Sequence, residues 1–217
     1  MKNKTLAAVV VLLLQSSVQA AGGNPSQVVL EASEKVRAVL SGKVKKGTPA
    51  EEKRKQELKQ VVDGFLDYRK LGELSLGPHW KERTPQEQAE FVQLLRDLIE
   101  SAYTSPIEDN IQFTLKIEEE QLSEDGKEAQ VVTVASAKNS KGREVAEDLT
   151  FHLYLQGKKW IVFDVEFGDI SMVRHYRSEF NKKIKKESYA ALVAAMKKKL
   201  EEIRSGKVKV GDKPPEL

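Results

Sequence analysis

The chain has 217 residues, with 36 lysines and arginines, 33 aspartates and glutamates, and no cysteine. The formal net charge of +3 gives no reason to expect a nucleic-acid partner. The lack of cysteine excludes disulfide bonds, thiol catalysis and the lipid-modified cysteine of a lipoprotein.

The first twenty residues have the pattern of a cleavable secretory signal peptide. Lys2 and Lys4 provide a positive start, residues 6–14 are uninterruptedly apolar, and residues 18–20 form a small-residue cleavage site. A membrane anchor is the alternative, but this run is about half of the ~20 apolar residues that span a bilayer. We therefore expect cleavage near Ala20 and export of the mature chain.

The first half of the mature chain is predicted to be helical. Apolar residues recur at helical spacing over residues 26–40. Residues 48–51 and 84–87 both have the sequence of a capping box with proline at the first helical position, so each begins a helix. The later helix carries one broad apolar face and ends at Pro106, and residues 72–77 are predicted to form a turn.

The second half changes to a period of two and then returns to helix. Four segments alternate between apolar and polar residues and predict an antiparallel meander, and two helices follow: strands at 111–117, 130–137, 149–155 and 160–167, helices at 173–184 and 188–203. In the last strand, alternation places Ile161, Phe163, Val165 and Phe167 on one face. The order predicts an α+β fold, with a single domain at residues 21–204 and a flexible tail at residues 205–217.

Nothing in the sequence predicts catalysis or a metal ion. The nearest approach to the G-x-S-x-G motif, at residues 72–77, has one residue too many, and the three histidines are far apart in sequence. An isomerase would need a carboxylate that faces inward from a strand, and alternation places Asp164 and Glu166 on the outward face. We therefore expect no enzyme activity and no cofactor.

The apolar rows on the strands and helices have two interpretations. They can form an ordinary solid core, or they can line a binding cavity. Both are built from the same residue types, so periodicity cannot separate them.

Three groups of residues, in this order behind a signal peptide, carry a family resemblance. They are FLDY at 65–68 with LGPHW at 76–80, TPxxQxxF at 84–91 continuing to Tyr103, and residues 160–164 followed by Gly168, Ser171 and YRSEF at 176–180. Together they resemble the MlaC family, also called toluene-tolerance Ttg2D proteins, over about residues 26–203.

The resemblance implies a periplasmic phospholipid carrier, the auxiliary component of an ABC transport system that maintains outer-membrane lipid asymmetry. The implied partners are phospholipid as cargo, an inner-membrane MCE-protein ABC complex and an outer-membrane lipoprotein–porin complex. The implied fold is a curved four-stranded antiparallel sheet packed on helices, with the acyl chains in a cavity between the layers. We expect the protein to act as a monomer.

The resemblance supplies no short lipid-contact motif, so the candidate lipid-binding residues follow from the predicted faces alone. From the strands they are Phe113, Leu115, Val132, Val134, Phe151, Leu153, Phe163 and Val165, and from the helices Leu94, Leu98, Tyr103, Val173 and Tyr176. Trp80 and Trp160 are expected to be structural anchors. Arg177 is expected to pair with Asp164 or Asp67, or alternatively with a headgroup phosphate.

The sequence also allows other functions. The cavity could hold a different apolar ligand, such as a hopanoid or a quinone, or the protein could be an adaptor with a solid core and no ligand. The lysine-rich segments at 43–55 and 182–199 could be solvated faces, or they could direct the protein to anionic membranes or acidic partners.

Overall fold

A computed structural model describes residues 23–45, 47–104, 113–138 and 143–207. The predicted signal peptide and most of the predicted tail lie outside these ranges, as do the side chains of residues 103 and 104. Within the described residues, no helix is long and apolar enough to cross a membrane.

The elements follow one another in the order helices, strands, helices. They are α1 (Pro25–Leu40), α2 (Pro49–Asp63), α3 (Tyr68–Leu76), a short 3-10 helix (Gly77–Trp80), α4 (Pro85–Thr104), β1 (Phe113–Leu122), β2 (Glu128–Lys138), β3 (Glu144–Gln156), β4 (Lys159–Phe167), β5 (Ile170–Ser171), α5 (Met172–Lys186) and α6 (Tyr189–Arg204). This order confirms the predicted α+β fold.

The two predicted capping boxes behave differently. At the start of α4, Glu87 N–H donates to Thr84 Oγ1 over 3.2 Å and Thr84 N–H donates to Glu87 Oε2 over 2.8 Å, which is the complete reciprocal arrangement. At the start of α2, the Thr48 hydroxyl instead donates to the Lys45 carbonyl, and Glu51 accepts from Gly47 N–H. The capping box predicted for α2 is therefore wrong, although the helix begins where expected.

Helix α3 replaces the turn that the sequence suggested around residues 72–77. Asp67 begins it by accepting a hydrogen bond from Lys70 N–H at 2.9 Å. Gly77 ends it with a φ of 56°, a left-handed conformation that glycine adopts without strain. Gly72 lies inside the helix, where a Cβ atom would sit 3.4 Å from the Phe91 ring, so its small size serves close packing of α3 on α4.

The sheet is an antiparallel meander in the order β1-β2-β3-β4-β5. The four predicted strands are all present, and the two-residue β5 adds a short fifth strand beside the end of β4. We call the face covered by helices the inner face. On β3 it carries Leu149, Phe151, Leu153 and Leu155, which pack against the core as the alternation predicted.

Strand β2 presents the opposite set of residues from those predicted. Val131 pairs with Phe151 and Thr133 with Leu149, and both β2 residues are fully buried. Residues directly opposite each other on paired strands share a face, so Val131 and Thr133 lie on the inner face. Because successive residues of a strand point to opposite faces, Val132 and Val134 lie on the outer face. Their assignment to the inner face was wrong because four consecutive β-branched residues carry no alternation of their own.

A β-bulge in β4 changes the predicted face of that strand. His152 pairs with Asp164 and Leu153 pairs with Val162, so Phe163 has no partner across the ladder. Beyond the bulge Val165 remains on the inner face, as predicted. Phe163 lies on the outer face, where its ring contacts His152 and Tyr154 with centroids 6.2 and 6.0 Å apart. The single shared face predicted for Ile161 to Phe167 is therefore wrong, because the buried residues before the bulge are Trp160 and Val162.

The main core lies where α3, α4, α5 and α6 pack together and against the inner face. Phe180 is at its centre, with an edge-to-face contact to Phe91 at 5.5 Å and a stacked contact to Tyr176 at 5.3 Å between ring centroids. Helices α1 and α2 pack on each other, and α1 also lies against β1 and β2. This leaves a space between the α1–α2 pair and the sheet.

Candidate functional site

The space between the α1–α2 pair and the sheet is a cavity of about 260 Å³. Its walls come from α1, α2, α4, the inner face of the sheet, the segment between α2 and α3, and the first residues of α3 and α5. The lining residues are Val29, Ala32, Ser33, Val36, Leu58, Lys59, Val61, Val62, Phe65, Leu66, Tyr68, Ile99, Glu100, Phe113, Phe151, Val165, Phe167 and Met172. Because this lining is almost entirely hydrocarbon, the cavity suits an apolar ligand.

Aromatic rings form the floor of the cavity. The rings of Phe65 and Phe151 meet edge to face with their centroids 5.8 Å apart. Phe65 is held in place because its carbonyl accepts from Val162 N–H, which extends the contact between the α2–α3 segment and β4. The floor is thus tied to the sheet, while the roof consists of two helices.

A charged network closes the cavity between α2 and α4. Lys59 on α2 donates to both oxygens of Glu100 on α4 at 2.6 and 2.8 Å. Glu100 also accepts from Arg96 Nε at 2.8 Å, and Arg96 in turn pairs with Asp63 at the end of α2. All four groups are neutralised within the network, so it fastens the helices together and offers no free charge to a ligand.

Tyr68 lies beneath this network and lines the cavity. Its side chain is 7% exposed, and its hydroxyl has no hydrogen-bond partner among the described residues. The Arg96 guanidinium lies 5.6 Å from the ring centroid. Burial raises the pKa of the hydroxyl, with the Glu100 and Asp63 carboxylates adding to the rise, so Tyr68 is a neutral donor at the wall of an apolar cavity.

A second, open groove of about 870 Å³ adjoins the cavity. It runs between α1, α2 and the turn that joins β3 to β4. Ala32, Val61 and Phe65 line both spaces, so these three side chains form the partition between cavity and groove.

The structure places the thirteen predicted lipid-binding residues in different surroundings. Three of them line the cavity: Phe113, Phe151 and Val165. Six belong to the core clusters or pack against them without lining the cavity: Leu94, Leu98, Leu115, Leu153, Val173 and Tyr176. Val132, Val134 and Phe163 are on the outer face, and the side chain of Tyr103 is outside the described residues. Their role in lipid binding stays a prediction.

Sequence reasoning did not assign the cavity roof. Apolar spacing was visible at Val29 and Val36 on α1 and at Leu58, Val61 and Val62 on α2, but it was taken as evidence only for helix formation. The structure shows how α2 differs from a helix that covers a solid core. Only Arg54 and Leu58 are buried on α2, which is few for a helix of 15 residues that packs on a solid core.

One titratable cluster lies away from the cavity. His152, Asp164 and Glu166 have ligand atoms within 4.8 Å of one another on the outer face. Each group has a structural partner: Asp164 accepts from Ser171 Oγ and Val173 N–H, and Glu166 bonds to His152 and Arg174. Burial raises the pKa of the Asp164 carboxyl, while the Ser171 and Val173 hydrogen bonds oppose the rise. The cluster fixes the start of α5 on β4.

The anchors and the arginine singled out in the sequence can also be placed. Trp80 and Trp160 are buried in the core, and Trp160 Nε1 donates to the Gly23 carbonyl at 3.2 Å. Arg177 is exposed, and its Nε donates to the Leu74 carbonyl at 2.8 Å. The expected carboxylate partner was wrong because its premise, that Arg177 is buried, does not hold. Arg177 does not line the cavity or the groove.

The fold and the site define a class: a small α+β protein with an apolar cavity between helices and the inner face of an antiparallel sheet. The sequence matches the family model described as MlaC protein over residues 30–198, and the chain therefore belongs to the MlaC family. Comparison with curated proteins finds no match.

One solved structure has the same fold. The chain is similar to the phospholipid-binding protein from Ralstonia solanacearum, solved in complex with a phospholipid, with a TM-score of 0.69 and 18% identity over 84% of this chain and 99% of that one. A second match is the intermembrane space region of the chloroplast protein ARC6, with a TM-score of 0.22, 10% identity and coverage of 52% of this chain and 94% of that one. That second likeness is too distant to support an argument.

Proposed function

We propose that this chain is a periplasmic phospholipid carrier. In this role it is exported, its signal peptide is removed near Ala20, and it moves lipid between inner- and outer-membrane complexes to maintain lipid asymmetry. The observation that supports this most strongly is an apolar cavity between two layers of a MlaC-family fold, whose structural relative binds a phospholipid. The carrier acts without catalysis and without a cofactor.

The cavity chemistry suits acyl chains. Burial of one methylene group gains about 0.8 kcal/mol, so two long chains offer on the order of 20 kcal/mol before ordering costs. Binding driven by this energy requires no set of polar side chains, in agreement with a lining that is nearly all hydrocarbon. The same energy makes spontaneous release slow, so the proposed membrane complexes must open the cavity or offer the lipid a comparable environment.

The cavity must enlarge to hold this cargo. Pockets for drug-sized ligands are about 300–1,000 Å³, and a two-chain phospholipid is larger than such ligands. A cavity of about 260 Å³ therefore admits the acyl chains only if its roof moves. Helix α2 is suited to move, because Leu58 is its single buried apolar residue.

The proposal is tested by blocking the cavity. Ala32 lines both the cavity and the groove, so Ala32→Trp fills space that the lipid needs. We expect the variant to extract at least tenfold less phospholipid from vesicles than the wild-type protein. Ala190→Trp is the matched control, because Ala190 is exposed on α6 and lines neither space. Equal extraction by both variants would contradict the proposed cavity.

A further inference from the structure

The groove beside the cavity combines apolar and cationic walls. Val28, Val39 and Trp160 supply apolar surface, and Lys35, Lys158 and Lys159 supply three positive charges. Its polar character contrasts with the cavity, whose lining is nearly all hydrocarbon. A molecule with an apolar end and an anionic end would therefore find both environments side by side.

The cavity and the groove share three lining residues. Ala32, Val61 and Phe65 border both of them, so the cavity and the groove adjoin at these residues. Ala32 lies on α1 and Val61 on α2, so the shared border follows the seam between these two helices. A phospholipid whose acyl chains occupy the cavity can place its glycerol at this seam and its phosphate in the groove.

The three groove lysines are available to an anion. Lys35, Lys158 and Lys159 are exposed, and none makes an ion pair with the described residues. Two carboxylates also line the groove: Glu57 pairs with Lys53 at 3.6 Å, and Glu31 accepts from the neutral Gln27 amide and keeps its charge. The three lysines outnumber these carboxylates, so the groove remains cationic. At the α2–α4 edge of the cavity, by contrast, Lys59 and Arg96 are already neutralised by carboxylates.

The lysine pair at the β3–β4 turn is held at a fixed position. Gly157 adopts a φ of 64°, which lets β3 turn directly into β4. The following Trp160 is 4% exposed and is tied to the Gly23 carbonyl. The turn thus carries Lys158 and Lys159 to the groove on a rigid support, and lysine is a common ligand for phosphate oxygens.

We propose that this groove binds the phosphate of a phospholipid through Lys35, Lys158 and Lys159, while the acyl chains occupy the adjoining cavity. The inference rests on the proposed carrier function and adds the position and chemistry of headgroup recognition. Contact with the phosphate, which all glycerophospholipids share, gives a carrier that selects phospholipids over neutral lipids without selecting one headgroup.

The test compares two triple variants with the same loss of charge. Lys35→Gln, Lys158→Gln and Lys159→Gln remove the groove cations, and Lys182→Gln, Lys185→Gln and Lys186→Gln remove three exposed cations from α5 as the control. The probes are a monomeric short-chain phosphatidylglycerol and a diacylglycerol with the same acyl chains, both below the concentration at which they aggregate. Monomeric probes exclude docking to a membrane surface as the cause of an effect.

We expect the groove variant to bind phosphatidylglycerol roughly tenfold more weakly than the control, because three charge-assisted contacts are lost. Diacylglycerol binding is expected to change less than twofold. Equal phosphatidylglycerol affinity of the two variants would overturn the inference and leave the carrier function intact. A wild-type protein that binds neither lipid would overturn the carrier function and the inference with it.

Inorganic phosphate tests whether the groove binds the phosphate of a lipid or the free phosphate ion. We expect phosphate at millimolar concentration to leave diacylglycerol binding unchanged and to compete only weakly with phosphatidylglycerol. Saturable phosphate binding that the groove variant loses, together with unchanged phosphatidylglycerol affinity, would assign the groove to the free ion and overturn the lipid assignment.

Discussion

Two tyrosine hydroxyls in the molecule have opposite hydrogen-bonding situations. Tyr68 Oη is buried at the cavity wall without a partner among the described residues. Tyr154 Oη donates to Asp67 Oδ2 at 2.5 Å and so joins β3 to the start of α3. A buried hydroxyl without a partner costs free energy, whereas a satisfied one contributes to stability.

Phenylalanine substitutions test this difference. We expect Tyr68→Phe to leave the free energy of unfolding of the lipid-free protein unchanged or to raise it by up to about 1 kcal/mol. Tyr154→Phe is expected to lower it by about 1–2 kcal/mol, because Asp67 loses a donor. Urea denaturation measures both values, and equal destabilisation by the two substitutions would show that Tyr68 has a partner in solution.

Asp164 gives a prediction about pH. Burial raises the pKa of its carboxyl in the folded protein, so the folded state binds a proton more tightly than the unfolded state. The stability of the wild-type protein relative to Asp164→Asn should therefore fall as pH rises from the ordinary carboxyl pKa through the raised one, and stay constant above it.

Denaturant unfolding of both proteins between about pH 3.5 and 7 measures this difference. Asp169→Asn is the control, because Asp169 is exposed a few residues away. His152 and Glu166 belong to the same cluster and are present in all three proteins. A difference that does not depend on pH, or that grows with rising pH, would contradict the assigned cause.

Among the elements, α2 is held by charged and polar contacts more than by apolar packing. Arg54 donates to the carbonyls of Ser41 and Gly42 after α1, and Lys59 and Asp63 join the network with Glu100 and Arg96 on α4. Only one apolar side chain of α2, that of Leu58, is buried, so little apolar packing opposes a movement of this helix. We therefore expect the network to limit how often α2 moves away from the sheet.

Glu100→Gln tests this role. The change removes the carboxylate that joins Lys59 to Arg96, so we expect several-fold faster amide exchange in residues 49–63 and faster lipid uptake from vesicles. Glu52→Gln is the control, because Glu52 pairs with Lys55 within α2 at 3.1 Å and lines neither the cavity nor the groove. Unchanged exchange in both variants would mean that the network does not restrain α2.

The same elements show what the sequence can and cannot predict. The alternation along β3 and the capping box of α4 each rest on local spacing, and both are confirmed. The inner face of β2 and the bulge at Phe163 depend on register, which the partner strands set. Apolar residues stand on both sides of these strands, so local pattern cannot choose a face.

For a related reason, the cavity could not be predicted from the local sequence pattern. Phe113, Phe151 and Val165 line it, whereas Leu94 and Leu153 of the same apolar rows belong to solid core. The difference is produced by where α1 and α2 lie relative to the sheet, which is a tertiary arrangement. Family resemblance supplied the expectation of a cavity, and the structure supplied its walls.

At the scale of the whole molecule, lipid binding should be coupled to stability. A ligand that binds only the folded state raises the free energy of unfolding by RT ln(1 + L/Kd), where L is the free ligand concentration. We expect delipidated wild-type protein to gain several degrees in melting temperature when phospholipid is restored, and Ala32→Trp to gain much less. An equal shift in both proteins would place the stabilising lipid outside the cavity.

The most direct test of the carrier account is native mass spectrometry of the mature protein, followed by mass analysis of its organic-solvent extract. The account predicts one phospholipid per chain in the wild-type protein and a markedly lower occupancy in Ala32→Trp. A protein that is purified without lipid and also takes none from vesicles would contradict the account and favour an adaptor without a ligand.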